Sequence, residues 1–150
     1  MLIDRNKRFL LLSLTILILL MTAGCGGTDP RSNGSNLKMA SMANMPAEVR
    51  AAPVTVQEAY QFNVANPDVM SQIPCYCGCG AMGHTSNYDC YVAGVNEDGS
   101  IKYDTHALGC SICVDITQDT MRLMKEGKTV QQIKAYVDQT YAQYGSSNMP

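Results

Sequence analysis

The segment "CSICVDITQDTMRLMKEGKTVQQIKAYVDQTYAQY", residues 110–144, predicts two consecutive helices. Apolar residues of its first part recur near one helix face: Ile112, Ile116, Leu123 and Met124. Gly127 is a natural C-terminal stop, and "TVQQ" at residues 129–132 forms a capping box that begins the next helix. That helix keeps apolar residues at helical spacing: Val130, Ile133, Val137, Tyr141 and Tyr144. The short connection predicts an antiparallel helical hairpin with facing apolar stripes.

Upstream of this hairpin, the pattern changes from helix to strand. The stretches "CYVAGV" and "SIKYD", residues 90–95 and 100–104, are rich in β-branched and aromatic residues. They flank the turn-like "NEDG" at residues 96–99, so a β-hairpin is predicted here.

Two shorter helices are predicted nearer the N-terminus. "TVQE" at residues 55–58 is a capping box for a helix to Ala65. Asn66 and Pro67 suit the cap and first position of a short second helix that ends near Gln72. The predicted fold class is therefore mainly α, as a small α+β domain. Its parts are N-terminal helices, one β-hairpin, a cysteine-rich loop and the C-terminal helical hairpin.

Cysteines and histidines cluster within this domain. The chain has seven cysteines and two histidines. Six of the cysteines and both histidines fall between residues 75 and 113: Cys75, Cys77, Cys79, His84, Cys90, His106, Cys110 and Cys113. These eight donors suffice for two four-coordinate metal sites, and the clustering predicts metal binding through all eight.

The stretch "PCYCGCG", residues 74–80, favours a metal over disulfides within the run. In an extended chain, alternate residues point to one face, which would align its three cysteines as core donors. Neighbouring members would then have Cα atoms roughly 7 Å apart, at the limit for a disulfide. Gly78 and Gly80 allow the backbone to curl, which brings the sulfurs toward a shared ion. Thiolates fit zinc and also suit Cu(I).

Two alternatives remain open from the residues alone. Six cysteines also make three disulfides, which persist outside the cytoplasm, so the domain could be a disulfide-stapled binding module. The pair Cys110 and Cys113 opens a predicted helix, where unpaired N–H groups favour a thiolate. This pair is therefore the candidate redox site of a thiol–disulfide oxidoreductase. The sequence has no paired acids in a patterned motif and no phosphate-binding loop, so it predicts no other class of enzyme.

The N-terminus predicts export and lipidation. A short basic segment precedes the uncharged run "FLLLSLTILILLMTAG", residues 9–24, which has the length of a signal-peptide core. Small residues followed by Cys25 resemble a bacterial lipobox, which implies cleavage before Cys25 and attachment of lipid, such as palmitate. An ordinary secretory signal or an uncleaved anchor is the alternative. The predicted parts are a signal peptide (1–24), a lipidated Cys25 with a flexible tether (25–54), a cysteine-rich domain (55–145) and a tail (146–150).

The charge of the exported chain argues against nucleic acid as a partner. The whole chain has 11 basic and 13 acidic residues. Three of the basic and one of the acidic residues lie in the first 24, so the remainder carries a net charge of −4. No basic run occurs beyond the signal, whereas nucleic-acid binding needs a basic patch.

The motifs "IPCYCGCGAMGHTSNYDC", "HALGCSICVDI" and "EGKTVQQIKAYVDQTY" together resemble the bacterial PCYCGC-motif lipoprotein family. The resemblance covers about residues 67–144. It implies a membrane-attached, extracytoplasmic domain without an established activity, with metal handling suspected. The order of motifs from Cys110 to Gly145 is also similar to the thiol-reductase subunit of cytochrome c maturation. That shorter likeness supports the redox alternative.

The leading hypothesis is a lipid-anchored protein on the extracytoplasmic face of a cell membrane. It would bind a soft metal ion, with copper as the first candidate and zinc as the second, and would buffer or deliver this ion without catalysis. Its expected partners are the membrane, through the lipid anchor, and a metal-accepting or thiol-exchanging envelope protein.

Overall fold

The structure is a computed structural model that describes residues 37–150. The predicted signal peptide, the lipidated Cys25 and the first part of the tether lie outside the described residues. In residues 37–150, no helix is both long enough and apolar enough to span a bilayer.

The predicted fold class is confirmed: the described part is mainly helical, with one two-stranded antiparallel sheet. Its helices and strands are α1 (Ala47–Arg50), α2 (Val54–Ala65), α3 (Pro67–Met70), β1 (Val92–Val95), β2 (Ile101–Tyr103), α4 (Ser111–Lys125) and α5 (Val130–Tyr141). Short 3₁₀ turns lie between them. Helix α4 packs against both α2 and α5 and so occupies the centre of the domain.

The C-terminal helical hairpin forms as predicted. Gly127 has φ +78° and follows the last turn of α4. Its N–H donates to the carbonyl of Met124, and the next N–H donates to that of Leu123, which is the Schellman pattern. The capping box at the start of α5 is also present. The apolar stripe of α5 ends before the predicted Tyr144, because the helix stops at Tyr141 and Tyr144 is 57% exposed.

The predicted capping box at residues 55–58 is wrong. Helix α2 begins at Val54, one residue earlier, and Pro53 occupies the N-cap without a side-chain hydrogen bond. Proline fixes φ near the helical value and tolerates the start of a helix, which moves Thr55 inside the first turn. The Gln57 amide instead donates to the carbonyls of Arg50 and Ala52.

Pro67 takes the first position of α3, as expected, but this helix ends at Met70 rather than near Gln72. The Asn66 side chain makes no capping hydrogen bond at the start of α3. Its amide donates to the carbonyls of Phe62 and Lys38, which joins the end of α2 to the start of the described chain.

Residues 37–54 were predicted to belong to the flexible tether, but in the structure they pack on the domain. Met45 and Val49 are 2% and 1% exposed. The amide of Ala40 donates to the carbonyl of Gln61 at 2.9 Å, and the Gln61 side chain donates back to that of Ala40 at 2.7 Å. Apolar residues four positions apart anchor this segment, so the folded part includes it.

The β-hairpin has the predicted turn. Strands β1 and β2 pair antiparallel with an irregularity between Val92 and Gly94. The N–H of Gly99 donates to the carbonyl of Asn96 at 2.9 Å, and Gly99 has φ +82°. Glycine fits that left-handed position without a Cβ penalty.

One buried hydroxyl joins three parts of the fold. The Oγ1 of Thr117, in α4, accepts from the Asn63 amide of α2 at 3.1 Å. It also lies 2.9 Å from Oδ1 of Asn87 and 2.9 Å from the hydroxyl of Tyr91. All four residues are fully buried. The network therefore fixes the orientation of α4 against α2 and against the segment that precedes β1.

We expect Thr117→Val to lower the free energy of unfolding by about 2–3 kcal/mol. The substitution keeps the shape but leaves buried polar partners without a hydrogen bond. Thr55→Val, at an exposed position of α2, is the matched control and should change stability by no more than about 0.5 kcal/mol. Denaturant unfolding followed by circular dichroism measures both. Equal stabilities of the two variants would contradict the role of this network.

Candidate metal centre

The loop of residues 74–80 divides its three cysteines between two directions. Cys75 and Cys77 remain neighbours, with their Sγ atoms 3.4 Å apart. Gly78 then turns the chain with φ +82°, and Cys79 begins a 3₁₀ turn. The hydroxyl of Tyr76 donates to Oδ1 of Asp138 at 2.6 Å, which fastens the loop to α5. The run is therefore not extended throughout, and it curls at Gly78 as the glycines of this stretch predicted.

The start of α4 supplies the second part of the centre. Cys110 is the N-cap residue of α4 and half-buried, whereas Cys113 is fully buried one turn later. The Asn87 amide donates to the carbonyl of Cys113 at 3.3 Å, and the Thr117 hydroxyl lies 3.1 Å from the same carbonyl. The polar network of the core thus also positions Cys113.

Four donors form what we call the outer group: Cys77, His106, Cys110 and Cys113. Their ligand atoms all lie within 4.8 Å of one another. The Sγ atom of Cys77 is 3.3 Å from Nε2 of His106 and 3.6 Å from Sγ of Cys113. His106 is placed by a short turn before α4, where its N–H donates to Oδ1 of Asp104. The set is one imidazole and three thiols.

Three cysteines form what we call the inner group: Cys75, Cys79 and Cys90. Their sulfurs also lie within 4.8 Å of one another. Cys79 and Cys90 have Sγ atoms 3.6 Å apart. All three residues are at most 1% exposed. The two groups touch, because Sγ of Cys75 lies 3.4 Å from Sγ of Cys113 in the outer group.

The sulfur separations fit ligands of a metal better than disulfides. Across residues 37–150, all six cysteines are free. Bonded sulfurs lie about 2.05 Å apart. Two thiolates bound at about 2.3 Å to one tetrahedral ion lie about 3.8 Å apart, close to the 3.4–3.6 Å observed. The clustered side chains could therefore hold a metal ion with small shifts.

The thiols of the cluster perturb one another. The hydrogen bond from Cys113, with a further contribution from Cys90, lowers the pKa of Cys75. Donating to Cys75 raises the pKa of Cys113. Burial, together with the charge of Cys75, raises the pKa of Cys77 and of Cys79. The centre thus stabilises one thiolate, whereas ionisation of further thiols is unfavourable. A bound cation would offset the repulsion between the thiolates.

His84, the eighth predicted donor, joins neither group. Its Nε2 lies 3.6 Å from Oδ2 of Asp104, and its ring packs edge-on against His106 with centroids 5.5 Å apart. Its Nδ1 is buried and has no hydrogen-bond partner in the described part of the chain. The backbone N–H of His84 donates to the carbonyl of Cys79, so the chain turns back beside the cluster before the ring reaches the sulfurs.

Asn148 is a residue of the centre that sequence reasoning missed. Its Oδ1 accepts from the N–H of Cys75 at 2.7 Å, and its own N–H donates to the carbonyl of Cys75 at 3.0 Å. Its side-chain amide lies 3.0 Å from the carbonyl of Ser86 and 3.5 Å from Sγ of Cys79. The predicted tail therefore lies against the inner group. No periodicity in "GSSNMP" signals this contact.

The tail reaches Asn148 through a close backbone approach. A Cβ atom on Gly145 would lie 2.8 Å from the carbonyl oxygen of Tyr76, a separation that real Cβ atoms do not show. Only glycine allows the chain to pass this carbonyl without a shift.

A model of the family described as "Protein of unknown function with PCYCGC motif" matches residues 14–149. The match covers most of the chain, so the chain belongs to this family. The resemblance expected from the sequence is confirmed, and the match extends beyond residues 67–144 at both ends. Searches of curated proteins and of solved structures found no match.

We expect Asn148→Ala to lower the free energy of unfolding by about 1 kcal/mol, because the N–H of Cys75 loses its buried acceptor. The same change should speed hydrogen exchange at the Cys75 amide. Ser146→Ala, an exposed change in the same tail, is the control and should alter neither quantity. Unchanged exchange at Cys75 in Asn148→Ala would contradict the contact of the tail with the inner group.

Proposed function

We propose that this member of the PCYCGC family binds a soft metal ion, copper first and zinc second, outside the cytoplasm. In this proposal a lipid on Cys25 holds the chain at the membrane, and its role is buffering or delivery of the ion. One observation carries the metal-binding part. Seven of the eight predicted donors converge in two touching groups, with free sulfurs at ligand separations.

The chemistry of the donors supports soft ions. Six thiols and one imidazole offer no hard oxygen ligand, which favours Cu(I) and Zn²⁺ over Mg²⁺ or Ca²⁺. Thiolates become ligands only when they lose their protons, and a cation at the centre compensates the resulting charge. Copper ranks above zinc because the inner group offers three thiols and no further donor within the same distance. Cu(I) accepts three sulfur ligands, whereas structural zinc takes four.

The outer group can fill all four positions around an ion with protein donors, which favours binding without catalysis. The outer group alone supplies four protein donors, and catalytic zinc sites keep a position open for water or substrate. The inner group is too deeply buried for a substrate to reach it, since each cysteine is at most 1% exposed.

The redox alternative has one favourable observation: Cys110 is half-buried at the start of α4, one turn from Cys113. However, Sγ of Cys113 also lies 3.4 Å from Cys75 and 3.6 Å from Cys77. An isolated dithiol would not share its buried sulfur with two other thiols. The disulfide-stapled module is disfavoured because the six cysteines described are free.

The metal proposal is tested on protein purified without oxygen and without added metal, by measuring intact mass, free thiols and Cu(I) or zinc binding together. For the chain whose Cys25 carries the lipid, we expect six free thiols, stoichiometric uptake of Cu(I) and loss of the ion to a strong chelator. A variant with Cys75, Cys77 and Cys79 all changed to Ser should lose uptake. Ser146→Ala, at an exposed position of the chain, is the control and should keep uptake.

Two outcomes would overturn the metal proposal. Three disulfides with no metal and no effect of chelator on folding would favour the stapled module. A Cys113→Ser chain that accumulates a mixed disulfide through Cys110 with an envelope protein would favour the oxidoreductase.

The anchor is tested separately. We expect the native chain to be found in the membrane fraction, with a mass that begins at a lipid-bearing Cys25, because a lipobox directs both steps. Cys25→Ser should lose the lipid and keep residues 1–24, because both steps need this cysteine, whereas Ser32→Ala should behave as the native chain. A native chain in the membrane fraction that keeps residues 1–24 and bears no lipid would identify an uncleaved anchor instead.

A further inference from the structure

We propose that the two groups are two ion sites with different tasks: the outer group exchanges ions with the surroundings, and the inner group stores one Cu(I). The ion passes between them at the contact of Cys113 with Cys75. This inference rests on the proposed function and specifies how the centre performs it.

Burial separates the two groups. Cys77, His106 and Cys110 of the outer group are each partly exposed, and only Cys113 is buried. All three cysteines of the inner group are fully buried. A ligand exchange with another molecule needs an accessible donor that can be displaced first. The outer group offers three such donors and the inner group offers none.

The surroundings strengthen this difference. A groove of about 340 Å³ reaches Cys110 from the surface, between the start of α2 and the turn before α4, with Pro53 and Leu108 among its lining. On the inner side, Asn148 lies across Cys75 and Cys79 and holds both the N–H and the carbonyl of Cys75. The outer group is therefore open to an incoming thiol, whereas the inner group is covered by the tail.

The contact between the groups provides a route without an intervening gap. Sγ of Cys75 lies 3.4 Å from Sγ of Cys113 and 3.4 Å from Sγ of Cys77. An ion bound to Cys113 and Cys77 is thus already beside an inner donor. The transfer is a ligand exchange: each thiol that binds releases its proton, each thiol that is released regains one, and the ion keeps its oxidation state.

The number of donors assigns Cu(I) to the inner group. Two separate four-coordinate ions would need eight donors, and the two groups supply seven. Zinc in closed sites takes four ligands, so it fits the outer group. Three buried thiolates match the three-coordinate geometry that Cu(I) accepts, and they require no water or fourth ligand.

The test uses the full chain in detergent, without oxygen, loaded with two equivalents of Cu(I) and then mixed with excess bathocuproine disulfonate, a coloured Cu(I) chelator. We expect two release phases of equal amplitude, the second about tenfold slower or more. A chain with both Cys77→Ser and Cys110→Ser leaves only two outer donors, so it should bind one ion and keep only the slow phase. Cys90→Ser should bind one ion and keep only the fast phase.

Passage between the groups is tested with one equivalent of Cu(I). When chelator is added immediately after loading, we expect fast release. After ageing, the same ion should be released slowly, because it has moved to the inner group. Asn148→Ala should accelerate the slow phase alone, and Ser146→Ala should change neither phase. Circular dichroism confirms that each variant keeps its helices.

The outcomes separate the two proposals. Two ions released in a single phase, or a stoichiometry of one that Cys90→Ser leaves unchanged, would overturn the division into outer and inner sites while metal binding stands. Release that does not slow with ageing would overturn the passage. No bound Cu(I) in the native chain would overturn the proposed function itself.

Discussion

The buried hydroxyl of Thr117 is the contact on which both the fold and the centre depend. It joins Asn63 of α2, the segment of Asn87 and Tyr91, and its own helix α4 at a single point. Such a hub is costly to disrupt, because every partner is buried, and Oδ1 of Asn87 and the hydroxyl of Tyr91 would lose a hydrogen bond. It lies one turn after Cys113, so the same contact that fixes α4 in the core also fixes the sulfur at which the outer group touches the inner group.

The rigid fold holds the thiols close together, and their negative charges would then repel one another. Six thiols lie close to one another, and the hydrogen bond between Cys113 and Cys75 lowers the pKa of Cys75 and raises that of Cys113. The neighbouring Cys77 and Cys79 resist ionisation because of burial and because of the charge on Cys75. A cation removes this opposition for all of them together. The cluster is therefore pre-organised in geometry, and in the proposed function the ion would supply the missing charge.

Sequence analysis gave good predictions wherever a local rule decides the structure. The capping box at Thr129, the stop at Gly127 and the turn that ends at Gly99 depend on residues close in the chain, and all three form. The predicted cap at Thr55 failed because Pro53 starts the helix earlier. No sequence pattern identified the residues that bring distant segments of the chain together.

Two examples show why. The clustering of cysteines and histidines predicted a common site, but the turn at Gly78 decides that Cys77 and Cys79 serve different groups. That turn is a backbone conformation, which the spacing alone does not specify. Asn148 reaches the centre from the far end of the chain, across 73 residues from Cys75. Contacts at such separation depend on the completed fold.

Delivery of an ion requires that the domain survive its loss, and the arrangement of α4 meets this requirement. The helix has 15 residues, so its two ends lie about 22 Å apart. The cysteines lie at its start, while the Schellman turn and the capping box that close the helical hairpin lie at its end. Between them, Ile116 packs in a core that also buries Ile133 and Val137. Small metal-dependent domains unfold without their ion because the ion replaces a core. Here the Schellman turn and the capping box lie at the opposite end of α4 from its cysteines, so release of the ion would leave these contacts of the hairpin in place.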